Sequence, residues 1–89
     1  MNGEFKYIVV ADRNDIERAI IFPNTPDLTH KDLTRIHRAT DVRLRSAAFC
    51  TIQDKNVYVG GQADSLGTSA KDFAARTEDV EIIKRDFFQ

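Results

Sequence analysis

Seven residues near the start of the chain, Phe5-Lys6-Tyr7-Ile8-Val9-Val10-Ala11, constrain the fold more than any other stretch. Five of them are β-branched or aromatic, so the run reads as a strand. Side chains alternate across a strand, which puts Phe5, Tyr7 and Val9 on one side and Ile8 and Val10 on the other. Both sides are apolar. Such a strand belongs in the middle of a sheet, with neighbours to left and right. A second β-rich run, Ile16 to Phe22, follows the polar turn Asp12-Arg13-Asn14-Asp15, which predicts a hairpin. Pro23 and Pro26 then end that strand.

The next segment carries helix signals. Thr29 is placed to cap a helix over 30–38, with Asp32 three residues on as an acidic form of the capping box. Leu28 and Leu33 have the spacing of a hydrophobic staple. At about 100° per residue, Leu33, Ile36 and His37 share one side, while Lys31, Arg35 and Arg38 form a stripe opposite. Residues 42–52 return to period-two alternation. They place Val42, Leu44, Ser46, Ala48, Cys50 and Ile52 on one face, and Arg43, Arg45, Ala47, Phe49 and Thr51 on the other. The polar turn 53–56 and the run Val57-Tyr58-Val59-Gly60-Gly61 predict a second hairpin. In the tail, Ser69 with Asp72 predicts a short helix over 69–76. Thr77 predicts the cap of a second, with Val80, Ile83 and Phe87 as its buried stripe.

The expectation is therefore one α+β domain over residues 1–89 in β-β-α-β-β-α order. It has a four-stranded antiparallel or mixed sheet, with the helices mainly on one face. Val9, Ile20, Leu44, Ile52, Ile83 and Phe87 are expected to be buried together. Apolar residues make up 42% of the chain, which fits a globular domain rather than a disordered one. Cys50 is the only cysteine, so no intrachain disulfide can form, and a reducing, cytoplasmic setting is expected. No run is long enough for a signal peptide or a membrane span.

Net charge is −1, which removes the arguments for a basic nucleic-acid binder or an acidic mimic at the level of the whole chain. The local balance differs. Between residues 30 and 45, five basic residues (Lys31, Arg35, Arg38, Arg43 and Arg45) stand against Asp32 and Asp41, a local charge of +3. Basic residues on a helix stripe and the following strand are candidates for one patch that meets phosphates or an acidic protein. No aromatic residue interleaves them as a base-stacking platform requires.

Other candidates are weaker. The Gly60–Ser69 loop sits where phosphate cradles occur, but its glycines match neither the dinucleotide fingerprint nor the P-loop, and a turn needing positive φ is the simpler reading. His30 and His37 lie about 10 Å apart along a helix and cannot share a metal ion. A solvated His30 and a partly buried His37 are expected. Cys50 points inward, as a buried thiol. Asp12, Asp15 and Glu17 read as solvated turn charges without calcium-loop spacing. No catalytic residue, metal or cofactor is expected.

Several short motifs carry a resemblance. They are Ser46-Ala47-Ala48-Phe49, Val57-Tyr58-Val59-Gly60-Gly61, Ser65-Leu66-Gly67 and Glu78-Asp79 leading into Ile82-Ile83, together with the N-terminal YIVV…AIIFP hairpin and Leu28-Thr29-His30. In these the chain resembles a group of short phage- and prophage-encoded hypothetical proteins, departing from it by extra residues between Gly67 and Glu78. The resemblance implies a phage accessory protein in the bacterial cytoplasm that binds and modulates a host protein, such as a defence component. A nucleic-acid-binding module using residues 30–45 is the alternative, a small enzyme stands well behind, and a homodimer stays open.

Overall fold

The computed structural model describes residues 2–38 and 42–88, and the backbone alone for 36–38. Strands β1 (Gly3–Ala11), β2 (Glu17–Pro23), β3 (Arg43–Gln53) and β4 (Asn56–Gly60) form one antiparallel sheet in the order β2-β1-β3-β4. The doubly apolar strand β1 is thus flanked on both sides. Its hairpin with β2 turns at Asp12, whose side chain accepts the N–H groups of Asn14 and Ile16. Asp15 closes the turn at φ 64°, a conformation that Asp tolerates better than most residues.

Helix α1 (His30–Arg38) follows β2, and a 3-10 segment (Asp64–Phe73) follows β4. Helix α2 (Asp79–Phe87) closes the described chain. Helices cover both faces of the sheet. Leu33 of α1 and Leu66 and Phe73 of the 3-10 segment pack on Ile8, Val10, Phe22 and Ala47. On the opposite face Val80, Ile83 and Phe87 of α2 pack on Tyr7, Val9, Ala48, Cys50 and Ile52. This corrects the expectation of helices mainly on one face. The cause lies in β1 itself, because a strand apolar on both sides needs cover on both.

The expected single core is likewise divided. Val9, Ile52, Ile83 and Phe87 do meet, but Ile20 and Leu44 lie on the α1 face. Ile20 faces α1 because it pairs with Ile8, and for Leu44 a β-bulge is responsible. Val9 pairs with Ser46 while Val10 pairs with Leu44, so Arg45 is an extra residue in β3. One extra residue reverses the alternation. Val42 and Leu44 therefore face α1, whereas Ala48, Cys50 and Ile52 face α2.

The tail departs from expectation in one helix. The segment predicted as a helix over 69–76 is instead 3-10, begins at Asp64 and ends at Phe73. Gly67, at φ 65°, kinks it. Ser69 does not cap a helix; its hydroxyl donates to the carbonyl of Leu66. Helix α2 forms with Ile83 fully buried, but Glu78 and not Thr77 stands at its N-cap position and no side chain caps it, because the helix opens one residue later than Thr77 would require.

Candidate functional site

Two groups of charged residues lie near the basic segment, and the fold treats them differently. The first surrounds α1. Its predicted cap forms in both directions: the Asp32 N–H donates to Thr29 Oγ1 at 3.1 Å, and the Thr29 N–H donates to Asp32 Oδ2 at 3.1 Å. The Thr29 bonds hold the Asp32 carboxyl below its usual range. His30 then fixes the helix to the sheet. Its ring meets Phe22 and Phe49 edge-on, at centroid distances of 5.4 and 5.1 Å. Its Nε2 lies 2.7 Å from the Ala48 carbonyl oxygen. A carbonyl can only accept, so Nε2 carries the proton. The expectation of a solvated His30 is therefore wrong. The residue is 3% exposed, and burial holds its pKa below the usual value. Phe22 and Phe49, from two different strands, close over the helix start.

On the outer side of α1, Lys31 and Arg35 are exposed. Neither is ion-paired to another described residue, though both stand near Asp32 and favour its charged form. The Lys31 N–H donates to Ser65 Oγ at 3.2 Å, which ties α1 to the 3-10 segment. Between these two elements is a cleft of about 270 Å³, edged by Lys31, Arg35, Ser65 and Gly67. It shares Thr34, Leu66 and Ser69 with a neighbouring cavity of about 320 Å³. That cavity reaches the sheet at Val10, Val42 and Leu44 and has Phe73 on its wall. Together they make a groove with an apolar floor and a cationic rim. In the first turn of α1 the N–H groups of Lys31, Asp32 and Leu33 already meet Ser65, the Thr29 side chain and the Thr29 carbonyl.

The second group sits at the β1–β2 turn. Arg43 pairs with Asp15, and Arg45 pairs with Asp15 at 2.7 Å and with Glu17 at 3.4 Å. Glu17 also receives Arg76, at 3.2 Å. Arg76 in turn holds Asp79, which is fully buried. Asp79 Oδ1 accepts from the guanidinium at 2.8–2.9 Å, and Oδ2 accepts the Tyr7 hydroxyl at 2.6 Å and the Arg76 N–H at 3.0 Å. Burial and this bond push the Tyr7 phenol well above its usual pKa, so it remains a donor. The chain of groups runs from a solvated turn into the core.

Of the five predicted basic residues, the structure thus leaves Lys31 and Arg35 at the cleft and engages Arg43 and Arg45 with carboxylates. Arg43 also touches the inner cavity. The side chains of Ile36, His37 and Arg38, and all of Asp41, lie outside the described residues. Glu17, expected as a solvated charge, is half-buried against Arg76. The Tyr7–Asp79 pair went unforeseen. Its one signal is spacing, since Asp79 stands four residues before Ile83 on the buried stripe of α2.

Cys50 is buried, with its thiol pushed up to about 11 by desolvation. It packs in the cluster on the α2 face, whereas the phenylalanine ring of Phe22 beside His30 belongs to the α1-face cluster. Among the described residues, no group of three or more His, Cys, Asp or Glu is placed to hold a metal ion, and no helix is long and apolar enough to cross a membrane. The chain matches no known family, no curated protein and no solved structure.

Proposed function

We propose that the chain is a non-catalytic binding module, of the phage-accessory kind its sequence resembles, and that the groove beside α1 takes an acidic segment of a partner protein in the bacterial cytoplasm. A host defence component is the type of partner this reading entails. One observation carries it: Lys31 and Arg35 are exposed and unpaired among the described residues at the rim of an apolar groove, while Arg43 and Arg45 already hold carboxylates. An apolar floor with a cationic rim suits a segment that alternates acidic and hydrophobic residues, because buried apolar area supplies affinity and the charges supply register.

Nucleic acid fits less well. Two cations neutralise about two phosphates, and each contributes a salt slope of only about −0.9 on duplex DNA. Among the described residues, half-buried Phe73 is the one aromatic side chain on the groove's walls, and none of them forms an exposed stacking platform there.

The test uses a library of acidic–hydrophobic peptides, their Glu→Gln counterparts and mixed-sequence DNA. Acidic peptides should bind the wild type, and binding should fall at least tenfold in the Lys31→Glu/Arg35→Glu double variant. The Arg45→Gln variant, at a residue that lines neither part of the groove, should bind as the wild type does. Equal loss in both variants, or binding indifferent to the peptide carboxylates, would refute the groove. Stronger, salt-steep binding to DNA would replace the protein partner by nucleic acid.

A further inference from the structure

An open four-stranded sheet has two free edges, and here they differ. The β2 edge is partly capped. Asp86 of α2 accepts the Ala19 N–H at 2.8 Å, the Arg85 guanidinium donates to the Glu17 carbonyl, and Pro23 ends the strand without an N–H. The β4 edge has no such cover. Its hairpin closes on the pair Gln53↔Asn56 across a two-residue turn. That pair is the bonded one in such a turn, so bonding to β3 falls on Asn56, Tyr58 and Gly60. Val57 and Val59 therefore turn their N–H and C=O groups outward, and no described residue bonds to them. The nearest bond, from Ala75 N–H to the Gly61 carbonyl, lies beyond the strand.

The flank of this edge is also apolar. Tyr58 is 57% exposed and Phe49 is 36% exposed, and with Gly60 and Gly61 they line a shallow depression. The strand Asn56-Val57-Tyr58-Val59-Gly60 contains neither charge nor proline, the devices by which sheet edges usually repel a partner.

We propose that β4 is a self-association edge, on which a second copy of this chain pairs antiparallel about a two-fold axis through Tyr58. The occupant follows from the register. This axis places Val57 of one copy opposite Val59 of the other, and both have outward-pointing groups, so each pairing exchanges both of its hydrogen bonds. Sliding by one residue would set outward groups against inward ones. The two Tyr58 residues face each other as a non-bonded pair, with Cα atoms about 4.5 Å apart, and can cover one another and Phe49. Because the strand carries no charge, two identical copies meet without like-charge repulsion. The contact is isologous and closes at two, giving a continuous eight-stranded sheet. It is small, below ~1,200 Å², so the dimer is a weak, concentration-dependent one. The proposal is independent of the groove beside α1.

Sedimentation of the full chain across roughly 1 μM to 1 mM tests it. The wild type should shift from monomer to dimer within that range. Tyr58→Lys and Tyr58→Glu each put like charges on the axis at an exposed position, and each should remain monomeric with an unchanged circular-dichroism spectrum. Mixing the two variants should restore the dimer. Val59→Pro removes one outward N–H without touching the β3 ladder and should also abolish it. A wild type that is monomeric throughout, or a dimer that survives the Tyr58 variants, overturns the proposal.

Discussion

The two faces of the sheet are joined to their helices by different chemistry. On the α2 face a fully buried carboxylate, Asp79, is met from two directions, by the Tyr7 hydroxyl and by Arg76. Burying a charge costs several kcal/mol unless every lone pair finds a partner, so this set holds together or fails together. On the α1 face no buried carboxylate is involved, and the Lys6 ammonium donates to the Thr25 and Leu28 carbonyls ahead of the helix. A capping pair three residues apart shapes the helix, and one histidine donates to one carbonyl. That face also carries the groove. The contrast is one of chemistry: the α2 face carries a polar set that holds or fails as a unit, and the α1 face, fastened by separate bonds, carries the groove.

The sharpest test of this contrast is Asp79→Ala. It strands the Tyr7 hydroxyl in the core and releases Arg76, so it should destabilise by about 3 kcal/mol or more in urea unfolding. A loss under about 1 kcal/mol would mean that the α2 face is not pinned by this pair. On the other face, Thr29→Ala removes only the cap and should cost about 1 kcal/mol, leaving most helical signal in place. If Thr29→Ala proved the more damaging, the ranking of the two faces would be inverted.

The smallest effect is a slope. Burial keeps His30 neutral in the folded state, below its usual pKa. The unfolded chain takes up this proton near pH 6.5, before the folded chain does. Stability from this group is therefore fully present above about pH 6.5 and is lost as pH falls toward the lower folded value. Asp32 and Asp86, whose carboxyls are also depressed by their partners, act with the same sign but only near and below about pH 4. The melting midpoint should thus decline between pH 7.5 and 5, and His30→Gln, which keeps an N–H donor, should flatten that decline. An unchanged slope in the variant would remove His30 from the account.

What the sequence made legible was local. Both hairpins, the Thr29–Asp32 cap and the Val80–Ile83–Phe87 stripe depend on neighbours a few residues away, and they appear as expected. What it hid depends on distant pairing. The bulge at Arg45 exists only relative to β1, and it moves Leu44 to the other face. The carboxylate that engages Arg43 and Arg45 comes from Asp15, 28 and 30 residues earlier, so a local charge count overstates how much of the basic segment is free. His30 shows the same limit, since its burial is supplied by β2 and β3.

The bond between Tyr7 and Asp79 spans 72 positions of the chain and so has a bearing on how the protein is made. On the ribosome, β1 to β4 emerge before α2 does. Until residue 79 has cleared the exit tunnel, one side of the nascent sheet stays bare, with Tyr7, Val9 and Ile52 uncovered and the phenol without its acceptor. Contacts this far apart in sequence form late, because the loop they close must first be ordered. The half-finished sheet is then the species most open to sticking to its neighbours, and its exposure ends only when α2 docks.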